Sequence, residues 1–302
     1  MVASECNPLC KTGGLADVVY SLSRELAANG HEVFVYLPFY KKMKDKGLNA
    51  EYKYYDYVDM SWRHQYIGVF DYELEGIKFK LIDNEQYFGR DNLYGYNDDG
   101  ERFAYFSRAV QRILHTENIK PDIVHVHDWQ AGMLPALMKG APLDDWKAHF
   151  VLTIHNAAFK GYLDRFALGD LYNLSDDMYD SGAVRLEGMV STLKAAIYFC
   201  DKITTVSPTY REEMLTKDLS QGFNAQIIKV PYTETLKKVF FDSINNQKQG
   251  IFPYSPNDSR KIADSIIGQN PSDINLKDEL EKQIQENNEI HKRWYNDRFK
   301  TI

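Results

Sequence analysis

Three short clusters in this 302-residue sequence carry side chains able to hold or polarise a charged ligand. Lys11-Thr12-Gly13-Gly14 stands directly before an amphipathic run, His127-Asp128-Trp129 closes one apolar run and His155-Asn156 closes another. Amides at a helix N-terminus favour an anion, glycines let backbone approach it closely, and the Lys11 ammonium adds a mobile positive charge. A diphosphate fits that description. The spacing is neither the P-loop nor the G-x-G-x-x-G pattern, and paired glycines before a helix also serve as a plain turn. An aspartate or histidine at a strand end is equally a capping or packing group, and strand alternation can turn His125 away from Asp128 as a core histidine. Tyr87, Tyr94, Tyr96 and Trp129 offer aromatic faces nearby, and the whole set suits a sugar nucleotide, with its anionic diphosphate and polyhydroxy ring.

The elements that must position these clusters alternate between strand and helix. From Gly14 to Asn29 the apolar residues Leu15, Val18, Val19, Leu22 and Leu26 fall at helical spacing, and Gly30 is a C-terminal stop. Residues 31 to 38 form a short β-branched and aromatic run ended by proline, and residues 66 to 83 alternate about Glu75-Gly76 as a hairpin. Residues 101 to 114 are helical by the same count, and residues 121 to 129 form a buried strand opened by proline. A helix from Ala131 to Lys139 leads to a strand over 149 to 156, and a helix over 188 to 199 leads to a strand over 202 to 207. Ser207 then caps a helix whose first residue is Pro208. Such an alternation predicts a doubly wound, mostly parallel α/β sheet covered on both faces, which binds ligand at the carboxyl ends of its strands. The three polar clusters recur along that edge.

Composition limits the function classes. With 44% hydrophobic and 26% charged residues the chain can bury a sizeable core, and a net charge of −7 disfavours nucleic acid as the main partner. No apolar run approaches the roughly 20 residues of a membrane-spanning helix, and the first residues lack the pattern of a signal peptide, so the expectation is no membrane partner and a cytoplasmic location. Cys6, Cys10 and Cys200 are odd in number, and a C-x3-C spacing without a second ligand pair makes no zinc site, so they read as free thiols. The 21 tyrosines suit a sugar or a partner surface equally.

The segment "ASECNPLCKTGGLADVVYSLSREL" resembles the amino-terminal signature of bacterial glycogen synthases and plant starch synthases, ADP-glucose-dependent retaining glucosyltransferases of two-domain GT-B architecture. "YGYNDDGERFAYFSRA", "PDIVHVHDWQAG", "TIHNAAFKGY" and "LKAAIYFCDKITTVSPTY" follow in the order of that family's amino-terminal domain, so that the resemblance covers about residues 1 to 220. It implies one Rossmann-like half of a GT-B glucosyltransferase that moves glucose from ADP-glucose to the non-reducing end of an α-1,4-glucan with retention. By the same resemblance Lys11 contacts the phosphates, Gly13 and Gly14 form the flexible loop beside it, and Asp128 and His155 hold the glucose. Asp17, Asn156 and Tyr87 are their neighbours. The favoured chemistry has the acceptor hydroxyl attack the face that ADP leaves, while protein donors stabilise the oxocarbenium-like sugar and the departing diphosphate. No metal and no cofactor are implied.

Departures from the family pattern set further expectations. Gln130 stands where the family commonly has histidine, and Ala196 where it has glycine. The sequence starts at Met1-Val2, without the short apolar strand that precedes V-A-S-E in the family, so an open slot beside the neighbouring strands and a fragment are expected. The resemblance divides the chain into an acceptor-side catalytic domain over 1–222 and an unrecognised, mostly helical tail over 223–302, in which 276 to 299 is the clearest helix. The family's second, nucleotide-binding domain is not visible, which implies a missing domain or self-association as partner. Two readings follow: an acceptor-side half competent with that domain, or a noncatalytic remnant or glucan-binding module of the same ancestry.

Overall fold

The computed structural model describes residues 1–145 and 147–215. The tail, the 222/223 boundary and the helix expected over 276 to 299 lie outside them.

The described chain runs α1 (Gly14–Ala28), β1 (Val33–Pro38), α2 (Lys41–Asp45), β2 (Glu51–Met60), β3 (Arg63–Leu74), β4 (Ile77–Asp83), α3 (Glu85–Phe88) and α4 (Asp99–Thr116). It continues through β5 (Ile123–His127), a single 3-10 turn (Trp129–Ala131), α5 (Leu134–Gly140), β6 (His149–Ile154), β7 (Tyr162–Leu163), α6 (Ala167–Tyr172) and α7 (Asp177–Asp180). β8 (Arg185–Leu186), β9 (Met189–Ser191), α8 (Thr192–Phe199), β10 (Lys202–Thr205) and α9 (Pro208–Leu215) complete it.

Two strand groups, ordered β2-β3-β4-β1 and β5-β6-β10, carry the fold. The pairs β1–β4, β5–β6 and β6–β10 are parallel, as the strand and helix alternation predicts, while β3 runs antiparallel to both β2 and β4. The expected slot lies between the two groups, and residues 1–3 thread it. Val2 bridges Tyr36 of β1 and Val126 of β5 in parallel, its amide donating to the His125 carbonyl at 2.8 Å and its carbonyl accepting from the His127 amide at 3.1 Å. Met1 accepts from the Tyr36 amide at 2.9 Å and Ala3 donates to the Tyr36 carbonyl at 3.2 Å. These bonds satisfy inward-facing backbone groups that would otherwise be orphaned on β1 and β5.

Local sequence accounts for most elements. In α1 the residues Leu15, Val19 and Leu22 are buried, and Gly30, at φ +87°, ends the helix. Glu75 and Gly76, at φ +50° and +76°, form the two-residue turn that joins β3 to β4, a twist matched to antiparallel strands. The same Glu-Gly pair recurs at Glu187 and Gly188, φ +52° and +79°, where it joins β8 to β9. The helix expected over 188 to 199 therefore starts only at Thr192: Met189–Ser191 are hairpin strand, and the Ser191 hydroxyl accepts the Lys194 amide as the N-cap. Ser207 does cap α9, accepting the Tyr210 amide at 3.0 Å. The strand β2, with tyrosines on its open face, was not anticipated. Cys6, Cys10 and Cys200 are buried free thiols, with burial pushing Cys10 up to about 12. Among the described residues no helix is long and apolar enough to cross a membrane.

Candidate functional site

The parallel strands β5 and β6 end side by side, with His127 in register with Thr153, and the chain leaves both at the same edge. Asp128 is the first residue past β5. Its backbone sits at φ +54°, ψ −167°, a region that side chains other than glycine avoid at a cost of about 1–3 kcal/mol. That bend turns the chain straight into the Trp129–Ala131 turn and aims the carboxylate across to β6. Oδ1 of Asp128 accepts the amides of His155 at 2.7 Å and Asn156 at 3.4 Å, and the Asp128 amide donates to the Thr153 carbonyl at 3.0 Å. Burial pushes the Asp128 carboxyl up to about 7, the two amides oppose the rise and the charge of Glu5 adds a further push upward.

Three histidines line this edge. His127 Nδ1 lies 3.0 Å from His155 Nε2, and the His125 and His127 rings stack at 4.4 Å. His125 Nε2 meets the Thr153 hydroxyl at 2.7 Å, so it is satisfied inside the sheet, as a core histidine would be. Burial holds His125 down at about 3 and His155 at about 4, and keeps His127 well below the usual imidazole value, so all three are neutral at pH 7.

The glycine loop forms the second cluster. Glu5, itself buried, accepts the Thr12 amide, the Thr12 hydroxyl at 2.7 Å, the Gly13 amide at 3.3 Å and the Tyr94 hydroxyl at 2.7 Å. The amides of Thr12 and Gly13, expected to be open to an anion, are thus held by the chain's own carboxylate. The first turn of α1 has no side-chain cap. Lys11 Nζ pairs with both Asp17 oxygens at 2.8 and 2.6 Å, and Asn7 donates to the same carboxylate at 3.1 Å. Both members of that ion pair remain solvent-accessible. A Cβ at Gly13 or Gly14 would meet no atom within 4 Å, and Gly13, at φ −145°, is in extended backbone open to any residue. Neither packing nor strain within the described residues demands glycine there.

Elsewhere glycine is demanded by the fold. Gly161 has φ +60°, and a Cβ on it would strike the Thr192 hydroxyl and the Trp129 ring. The Thr192 hydroxyl donates to the Trp129 carbonyl at 2.7 Å and the Thr192 amide to the Gly161 carbonyl at 3.1 Å, so the start of α8 ties the loop after β6 to the Asp128 turn, while the Tyr210 hydroxyl of α9 accepts the Ala157 amide at 2.8 Å.

The structure therefore brings Asp128, His155 and Asn156 together, and gathers Lys11, Gly13, Gly14 and Asp17 on the other loop. The upward push of Glu5 on Asp128 links the two clusters. Tyr87 joins neither: it is wholly buried, packs on Tyr105 at 4.9 Å and donates to Glu101 at 2.6 Å. The ring of this α3 residue is enclosed against α4. Tyr94 props Glu5, and Trp129 stands edge-on to Phe103 at 5.2 Å. Sequence reasoning grouped His127 with Asp128 and Trp129, and missed Glu5 and Tyr210 as parts of the site. For Glu5 and Tyr210 only folding brings the groups to their partners. Gln130 is buried with Oε1 unpartnered, and Ala196 is fully buried. Among the described residues no group of three or more histidine, cysteine, aspartate or glutamate side chains is arranged to hold a metal.

Comparison with known proteins returns a consistent family. The model of the starch synthase catalytic domain matches residues 1–229. Glycogen synthase of Lactococcus lactis subsp. lactis is 40% identical over 263 residues, which is 83% of this chain and 55% of that protein. Glycogen synthase of Clostridium kluyveri is 44% identical over 231 residues, 74% of this chain and 48% of that protein. Among solved structures, the catalytic domain of starch synthase IV from Arabidopsis thaliana, bound to ADP and acarbose, superposes with a TM-score of 0.62 at 30% identity, over 74% of this chain and 47% of that one. The chain spans about half the length of these curated relatives.

Proposed function

The chain belongs to the starch synthase catalytic domain family, and on that premise we propose that it is the acceptor-side half of a GT-B glucosyltransferase. The reaction is transfer of glucose from ADP-glucose to the non-reducing end of an α-1,4-glucan with retention, carried out in the cytoplasm together with a nucleotide-binding domain. On this reading the division at about residue 222 separates the acceptor-side domain from the tail.

One observation carries the reading. Gly13 and Gly14 face open space with no internal need for glycine, and the neighbouring Lys11 is solvent-accessible. Close approach of a ligand supplies the missing reason. In this reading Lys11 exchanges its contact with Asp17 for the diphosphate, and the uncapped first turn of α1 faces the same charge. Asp128 and His155 meet the sugar, and Asn156, exposed beside them, borders it. The catalytic contribution is a fixed set of donors around a developing cation and a departing diphosphate, positioned before the reaction begins. Starch synthase IV, the structural relative, binds ADP and acarbose in its own site, which supports the two ligand classes proposed here.

The test is incorporation of glucose from ADP-glucose into glycogen, by the chain alone and with the carboxyl-terminal half of a full-length relative supplied in trans. Transfer that needs both halves and falls at least tenfold in Lys11→Ala supports the reading; transfer indifferent to Lys11 overturns it. A second reading, a glucan-binding module without turnover, is favoured by one feature: Tyr52, Tyr55, Tyr57, Trp62 and Tyr66 stand exposed on the β2–β3 hairpin. Maltooligosaccharide binding with no transfer under any pairing would select it.

A further inference from the structure

His127 is wholly buried, and its imidazole has two distinct nitrogens with different surroundings. Nδ1 lies 3.0 Å from His155 Nε2, while Nε2 has no hydrogen-bond partner. Both rings are neutral, so one of them must donate and the other accept. If His155 donated from Nε2, His127 would carry its own proton on Nε2, leaving a buried N–H with no acceptor. If His127 donates from Nδ1, only a lone pair is left unpaired at its Nε2. An orphaned buried N–H is the rarer and costlier state, so the second arrangement is the stable one.

The neighbouring histidine does not disturb that assignment. The Thr204 hydroxyl reaches the Leu152 carbonyl at 3.3 Å, so it accepts from the Thr153 hydroxyl at 2.7 Å, and Thr153 in turn accepts from His125 Nε2. His125 thus spends its proton on the Thr153 side and only stacks on His127. The proton of His155 is then forced onto Nδ1. Nδ1 makes no hydrogen bond among the described residues, and His155 is partly exposed at the carboxyl edge of the sheet. The backbone of the same residue is tied by its amide to Asp128 Oδ1. The main chain of His155 is thus tied to Asp128 and its ring to His127.

We propose that His127 is a positioning residue that holds His155 as the neutral Nδ1–H tautomer, so that the site presents a fixed hydrogen-bond donor to a ligand oxygen. The identity of that oxygen as one on the transferred sugar rests on the function proposed above; the tautomer does not. A histidine side chain in water favours the proton on Nε2, so the arrangement is one that the protein must impose.

The experiment is a two-bond 1H–15N correlation spectrum of the histidine-labelled chain at pH 7.5, with the His155 signals assigned by their loss in His155→Gln. The expected spectrum shows His155 Nδ1 protonated and Nε2 bare. In His127→Phe, which removes the donor, the proton of His155 should shift to Nε2; in His127→Asn, whose amide can donate from the place of Nδ1, the native pattern should return. A wild-type His155 protonated on Nε2, or an Nδ1–H pattern retained in His127→Phe, overturns the proposal. The wild-type spectrum decides the tautomer even where a variant does not fold, and no ligand is needed, so failure here is distinguishable from failure of the transfer assay.

Discussion

The carboxylate of Asp128 and the amide of His155 lie 2.7 Å apart, joining the ends of two parallel strands through a residue held at positive φ. The strained backbone and the cross-strand bond depend on each other, because without the acceptor two amides at the end of β6 lose their partner.

Replacing Asp128 separates structure from chemistry. Asp128→Ala removes the acceptor for the His155 and Asn156 amides and keeps the strained φ, so it should cost about 1–3 kcal/mol, read from urea denaturation. Asp128→Asn keeps a carbonyl oxygen in the same place and tolerates positive φ, so its stability should stay within about 1 kcal/mol of the parent. Equal loss in both variants would show that the two amide bonds are not what the carboxylate contributes.

The two kinds of glycine should respond oppositely to a methyl group. Gly161→Ala meets a forbidden φ and a collision with Thr192 and Trp129, and is expected to destabilise by more than about 1 kcal/mol. Gly13→Ala adds a methyl in open space on extended backbone and should leave the melting temperature unchanged or slightly raised. Its cost should appear instead as weakened transfer in the two-half assay.

Lys11→Ala removes an ion pair whose partners are each nearly half exposed, 47% and 44% by side chain. Such pairs contribute little, so thermal and chemical melts should move by no more than about 0.5 kcal/mol. A larger loss would identify the Lys11–Asp17 contact as structural.

Stability should rise with pH between about 4 and 6.5. His125, His127 and His155 bind fewer protons folded than unfolded in that range, because burial holds their folded values below the 6.5 of an unfolded imidazole. Their stabilisation is present above 6.5 and is lost as pH falls toward the folded values. Asp128 works the other way, since its folded value near 7 lies above 3.8 and its contribution is lost as pH rises. Three histidines against one aspartate leave a net uptake of protons on unfolding near pH 5, so the slope of stability against pH is positive there. Denaturant melts at pH 5 and 6 read it directly, and Asp128→Asn should steepen the slope. A flat profile would mean that the histidines are not buried as neutral groups.

Much of the fold and part of the site were legible in the residues alone. Helical spacing from Leu15 to Leu26, apolar runs ending at His127 and Ile154, and the Glu75-Gly76 turn each report a local backbone preference, and local preferences survive without their tertiary context. The same Glu-Gly pair at Glu187 and Gly188 escaped notice because strands of two and three residues have no measurable period. Lys11, Asp128 and His155 stood out by chemical type at element ends. Tertiary structure alone decided what those residues face. Tyr87 lies in the core because α3 packs it onto Tyr105 of α4, Glu5 holds the loop amides because the 5–13 segment folds back on itself, and Val2 joins two strand groups that lie far apart along the chain. It also brought the rings of His127 and His155, 28 residues apart, to within 3.0 Å. Residue type and spacing specify the elements, since each depends on near neighbours in sequence; hydrogen-bond partners and burial depend on how distant elements meet, which no local pattern encodes.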